Sequence, residues 1–215
     1  MTFRISPFSF FQTNTHGAEK LFSTAFAMLG HIEGDILDLY CGTGSIGLSL
    51  LALGNTPLQK GGRSAATGGS KQQLIGIEIV EEAIVDALHN AKINGLQERC
   101  SFIASPAEKI AISPEIWKAD VLPCQGEEPV GRRGLKDLDV VVIDPPRDGL
   151  HKNVIEWIVN LKKEQDFKLL YISCNPVTMA RDVEMFLEAG FKLKEVQAVD
   201  MFPHTHHVEC VGVLG

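Results

Sequence analysis

The segment Leu138-Asp-Val-Val-Val-Ile-Asp144 is almost continuously apolar, and that property constrains the fold more than any other in the chain. A strand packed on one face alternates apolar and polar residues. A near-unbroken apolar run marks a strand covered on both faces, the habit of parallel sheets lying between helices. Residues 35–40, 74–79 and 167–173 repeat the signature, and 100–105 reads as a further strand. Helical patterns separate them. Residues 46–53 form one helix; residues 81–94 place Ile84, Ala87, Leu88 and Ala91 on one stripe before an Asn94-Gly95 stop. Val154, Ile158 and Leu161 mark another helix, and residues 178–189 a last one closed by Gly190. Residues 191–201 and 207–213 read as two closing strands joined by a turn containing Pro203. Strand–helix alternation of this kind predicts an α/β domain with a mainly parallel sheet.

The 215 residues suit a single domain. Residues 55–73, rich in Gly and Ser, and residues 122–136 read as insertions and not as boundaries, because the alternation resumes after each. The aromatic-rich segment 2–15 opens abruptly, as if the chain begins inside a longer protein. Neither a membrane-length apolar run nor a signal peptide is present, so a cytoplasmic compartment is expected. Five scattered cysteines without C-x-x-C spacing argue against a disulfide framework, zinc or an iron–sulfur centre. A net charge of −7 disfavours a dedicated nucleic-acid clamp, despite the local pair Arg132-Arg133. Composition sets no oligomeric state.

Four motifs carry chemistry. In Asp38-Leu-Tyr-Cys-Gly-Thr-Gly44 a strand runs into Gly42-x-Gly44 before a helix, a turn that lets a ligand approach the backbone. Dinucleotide sites use a related turn. Glu78 ends the second strand, where a carboxylate accepts bonds from ribose hydroxyls, which implies a nucleoside without choosing its cofactor. Asp144-Pro-Pro-Arg147 forms a rigid loop at the same edge; an Asp-Pro-Pro-aromatic loop serves enzymes that methylate amino nitrogens, and here arginine replaces the aromatic residue. Ser173-Cys174-Asn175-Pro176 sets a thiol before a helix, where its pKa is expected to fall. Taken alone, Cys174 reads more readily as a small buried hydrophobe, and Glu209 downstream with the cofactor motifs upstream turns the reading toward a reactive thiol. Downstream, Asp200-Met-Phe-Pro-His-Thr-His-His-Val-Glu209 ends in a candidate general base. His204, His206 and His207 lack partner ligands nearby, and no metal is expected.

Together with Phe10-Phe-Gln-Thr-Asn14, these motifs resemble the RNA uracil-5-methyltransferase family over nearly the whole chain outside the two insertions. The resemblance implies a Rossmann-like class I methyltransferase fold: a mainly parallel seven-stranded sheet with helices on both faces. It implies S-adenosylmethionine as cofactor, contacted by Gln12, Tyr40, Gly42, Gly44, Ser45, Glu78 and Asp144. Cys174 would be the nucleophile and Glu209 the base, with 5-methyluridine in tRNA or ribosomal RNA as product. A flipped uridine would fill the pocket. Much of the RNA affinity would come from an N-terminal barrel domain that this chain lacks. The loop Ser105-Pro-Ala-Glu108 departs from the polar pattern expected near the adenine. Two other readings stay open: an amino-nitrogen methyltransferase using the Asp144-Pro-Pro loop, and a cofactor- or RNA-binding module without catalysis.

Overall fold

A computed structural model describes residues 1–6, 14–53, 72–112, 137–205 and 207–215. Gln12, His206, residues 122–136 and nearly all of residues 55–73 fall outside that set. Seven strands, β1 (Asp35–Leu39), β2 (Leu74–Glu78), β3 (Cys100–Ala104), β4 (Leu138–Ile143), β5 (Lys168–Ser173), β6 (Leu193–Val199) and β7 (Glu209–Leu214), form one sheet in the order β3-β2-β1-β4-β5-β7-β6. Strands β1 to β5 pair in parallel, and β7 runs antiparallel between β5 and β6. The expected mainly parallel seven-stranded sheet is present.

The unbroken apolar strands are explained by two packed faces. Along β4, Val140 and Val142 enter one core cluster while Val141 and Ile143 enter the other. Leu170 and Ile172 of β5 alternate with Leu169 and Tyr171 in the same way. Helices α1 (Thr15–Leu29), α2 (Ser45–Leu53) and α3 (Glu81–Ile93) contribute to the first cluster. The second takes α4 (Ala107–Ile112), α5 (Lys152–Glu164) and α6 (Pro176–Glu188). Burying an average Leu or Val side chain contributes ~1.5–3 kcal/mol, so both layers hold the sheet that positions the loops at its carboxyl edge.

Helix α1 has no counterpart in the sequence reading, although its signals are present. Asn14 caps it by accepting from the Gly17 N–H at 3.0 Å, Gly30 ends it at φ 72°, and Ala18, Leu21, Ala25 and Leu29 form its buried stripe. Lying before the first strand, it falls outside the strand–helix rhythm on which that reading leaned. The Asn14 amide also donates to the Met201 carbonyl at 2.8 Å, tying α1 to the turn that precedes β7.

Ahead of α1, residues 1–6 lie along α3. Thr2, Arg4 and Ser6 donate their backbone N–H groups to Asn94, Asn90 and Asp86 respectively. Alternate residues of an extended chain thus meet side chains spaced four apart, one per helical turn. The fully buried Asn90 amide also donates to the carbonyl of Thr43, in the glycine turn after β1, at 3.1 Å. Among the described residues no helix is long and apolar enough to cross a membrane.

Candidate active site

The order β2-β1-β4 reverses the direction of chain progression at β1 and β4, and ligands of open α/β sheets bind beyond the carboxyl ends of strands at such a reversal. A cavity of about 860 Å³ opens there, with Tyr40, Glu78, Asp144, Cys174 and Glu209 among its lining residues. Gly42 and Ser45 of the glycine turn line it too.

That turn is built from backbone conformations few side chains accept. Tyr40, Gly42 and Gly44 have φ of 64°, 51° and 77°. Added to Gly42, a Cβ would meet nothing of the protein within 4 Å, so the cradle is open on its ligand side. At Gly44 it would press on Leu48 at 3.1 Å and Phe102 at 3.3 Å, which makes that glycine a packing requirement. The Glu78 carboxylate accepts from the Gly42 N–H at 3.0 Å and the Val80 N–H at 2.9 Å. Each oxygen keeps a further lone pair for a ribose hydroxyl. Tyr40 bonds Glu108, a partner that sequence reasoning missed, and burial with that carboxylate pushes its phenol up.

Carboxylates crowd the cavity. Burial, then the charges of Glu209 and Asp38, push Asp144 up to about 8. Burial also raises Asp38 to about 7, against the lowering effect of the Gly47 N–H that it accepts at 2.9 Å. Its other oxygen, Oδ1, is buried without a partner. Asp144 lines the cavity, whereas Asp38 is buried beneath the glycine turn, so Asp144 is the raised carboxylate placed to meet positive charge on a ligand there.

Cys174 follows β5 in a short link to α6. Asn175 caps that helix through the Val177 N–H, and its amide donates to the Arg147 carbonyl at 3.0 Å. Strands β5 and β7 pair Ser173 with Cys210 antiparallel. One step further, that register sets Cys174 opposite Glu209. The expected lowering of the thiol is not found: burial, then Glu209, raise Cys174, outweighing the Arg147 hydrogen bond. Half-burial among carboxylates wins over the helix end. Glu209 is buried and raised as well, by desolvation, with Arg147 pulling it back.

Arg147, in sequence only a departure from another loop type, hydrogen-bonds the Cys174 sulfur and brings its charge near Glu209 in the fold. Phe22 of α1 and Phe202 also line the cavity unforeseen. No group of three His, Cys, Asp or Glu suited to a metal occurs among the described residues. His207 faces the cavity, and His204 is exposed at φ 71° in its turn.

Residues 132–215 match the tRNA (uracil-5-)-methyltransferase family model, and residues 32–128 match a general methyltransferase domain. An uncharacterized RNA methyltransferase of Caldanaerobacter subterraneus subsp. tengcongensis is 40% identical over the whole chain, which spans 39% of that relative. The chain is thus similar to RNA methyltransferases over its whole length, and to the tRNA (uracil-5-)-methyltransferase family over residues 132–215. Among solved structures, the tRNA (uracil-54, C5)-methyltransferase of Pyrococcus abyssi, in complex with S-adenosyl-L-homocysteine, is 30% identical with a TM-score of 0.67. That match covers 98% of this chain and 41% of the archaeal one. The precorrin 8W decarboxylase of Methanobacterium thermoautotrophicum, at 13% identity and a TM-score of 0.63, covers 99% of this chain and 96% of its own; it shares the fold alone. The chain thus spans about two-fifths of the length of the curated relatives it matches.

Proposed function

We propose that this chain is the catalytic domain of an RNA methyltransferase that forms 5-methyluridine through a covalent bond to Cys174. S-adenosylmethionine is the cofactor and, when bound, supplies a methyl group on a cationic sulfur to a carbon nucleophile. Gly42, Gly44 and Ser45 would receive it at the turn, Glu78 its ribose, and Asp144 its positive charge. Gln12 belongs to the same proposed set and lies outside the described residues.

Carbon 5 of uracil is too weak a nucleophile to be methylated unaided. Addition of the Cys174 thiolate to carbon 6 moves the ring electrons toward carbon 5 and oxygen 4, giving an enolate. Arg147, hydrogen-bonded to the sulfur, favours the thiolate. After methylation Glu209 takes the carbon 5 proton, the carbon–sulfur bond breaks, and the uracil ring is restored with the thiolate released. The raised affinity of Glu209 for a proton suits a base.

The observation that carries this reading is the register of β5 on β7, which sets thiol and carboxylate face to face in the cavity that holds the glycine turn. Incubation with S-adenosylmethionine and a T-loop RNA carrying 5-fluorouridine should leave a Cys174–RNA adduct, because fluorine cannot leave as a proton does. Methylation of uridine by Cys174→Ala would overturn the mechanism. The tRNA T-loop uridine is the favoured target, and the archaeal neighbour is named as a tRNA (uracil-54, C5)-methyltransferase; ribosomal RNA is the alternative substrate in the same assay. RNA grip is assigned largely to the remainder of a longer protein, and the four free cysteines among the described residues suit a reducing, cytoplasmic setting. Amino-nitrogen methylation is the competing chemistry, and it would survive loss of the thiol.

A further inference from the structure

Helix α6 holds the Arg147 loop by three successive grips along one face. Asn175 Nδ2 and Thr178 Oγ1 both donate to the Arg147 carbonyl, at 3.0 and 3.2 Å. Arg181 Nη2 donates to the Asp148 carbonyl at 3.0 Å. Asp182 Oδ2 accepts from the Leu150 N–H at 2.7 Å and from the Tyr171 hydroxyl at 2.7 Å. Positions 175, 178 and 182 share a helix face, so the loop is read residue by residue as it passes. Gly149 sits between the grips at φ 78°; a Cβ there would lie 2.6 Å from both Arg181 Nη2 and Asp182 Oδ2.

Asp182 is fully buried, and neither it nor Tyr171 lines the cavity. Its second oxygen takes Arg181 Nε and Nη2 at 2.9 and 2.7 Å, so the carboxylate is saturated with donors from β5, the loop and its own helix. A buried charge is costly unless every lone pair is used, and an apolar side chain would fill the space more cheaply. What the carboxylate does that an apolar group cannot is hold the backbone of the loop.

We propose that Asp182 is a positioning residue for the Cys174 thiol: by pinning residues 147–150 to α6, it keeps the Arg147 guanidinium beside the sulfur. This rests on the nucleophile assigned to Cys174 above. The thiol faces Asp144 and Arg147 from the β4 side and Glu209 from β7, with His207 on the cavity wall. Two of these charges oppose the thiolate and Arg147 supports it, so slackening the loop tips the balance toward the thiol.

The test uses the intact chain without RNA, reading Cys174 alkylation by iodoacetamide against pH with peptide-resolved mass spectrometry. Asp182→Ala should move the midpoint upward by about one pH unit and slow the reaction about threefold at neutral pH, the rise in intrinsic nucleophilicity offsetting part of the lost thiolate. Asp182→Asn, which can still accept from Leu150 and Tyr171, should shift less. Arg147→Met should reproduce the shift, and adding Asp182→Ala to it should change little more, as expected for residues acting in one chain. Should Asp182→Ala fail to fold, Asp182→Asn and Thr178→Val carry the measurement. A wild-type alkylation profile in a folded Asp182 variant that binds S-adenosylhomocysteine normally would overturn the proposal. Methylation by Cys174→Ala would instead remove the nucleophile assignment, while the alkylation profile still decides whether Asp182 positions the thiol.

Discussion

The two halves of the cavity are made in different ways. On the cofactor side, β1, β2 and α3 present backbone: left-handed residues, an open glycine, and amide N–H groups aimed at Glu78. On the side proposed for the nucleophile, β4, β5 and β7 present side chains drawn from positions 144–150, 174–182 and 209, with the loop among them held by side chains of α6. Backbone geometry is written locally, in the spacing of a few residues. Convergent side chains are written only in the way strands pair.

Substitutions at the two ends should therefore fail differently. The largest effect is expected at the thiol: Cys174→Ala should abolish adduct and turnover, a loss on the order of 10⁴-fold or more, while calorimetry gives an S-adenosylhomocysteine affinity near wild type. Coupled loss of affinity would break the division into halves. Glu209→Gln comes next, with turnover down roughly 10²–10⁴-fold and covalent RNA accumulating on gels even with ordinary uridine, since the step after methylation is blocked. An unchanged adduct level would move the base elsewhere.

Opposite behaviour is expected across the cavity. Glu78→Ala should weaken S-adenosylhomocysteine binding by roughly 10–100-fold through loss of charge-assisted bonds, leaving Cys174 alkylation unchanged. A smaller effect follows from pH. Asp38 at about 7 and Asp144 at about 8 are protonated in the free protein at mildly acidic pH. Both folded values lie above the ordinary 3.8, so their contribution to stability is full below that pH, declines as pH rises, and is lost by about 7 to 8. A cationic ligand reverses the sign. S-adenosylmethionine should bind about tenfold more tightly at about pH 8.5 than at about pH 6, and S-adenosylhomocysteine, lacking the sulfonium charge, less steeply. Equal slopes would mean that Asp144 does not face the charge. Smallest is Asn90→Ala, which frees Arg4 and Thr43 together: a few-fold loss in cofactor affinity with about 2–3 kcal/mol of stability in a denaturant melt.

That contrast also explains what the sequence made legible. Unalternating strands and intervening helical stripes were enough for the sheet, and Gly42-x-Gly44 with Glu78 marked the edge proposed for the cofactor. Helix α1 escaped because it precedes the alternation, despite its Asn14 cap and Gly30 stop. Cys174 alone reads more readily as a packing residue, and only its surrounding motifs and the resemblance they carry point to a nucleophile. Arg147, Glu108 and Asp182 escaped because their roles depend on neighbours across the fold. The direction of the Cys174 shift was misjudged for the same reason: the helix end is local, and the opposing carboxylates are not.

The antiparallel insertion of β7 has a consequence for how such a chain can vary. Cys174 and Glu209 meet because residue numbers across β5 and β7 keep a fixed sum, and not because the turn between β6 and β7 has a given length. The length of that turn can change through inheritance without shifting this register, while Phe202 and His207 still line the cavity and Met201 still holds α1. Loss of one residue inside β7 is another matter: it would throw every following side chain to the other face of the sheet. The turn's length is open to evolutionary experiment, whereas the strand beside it counts like a ratchet.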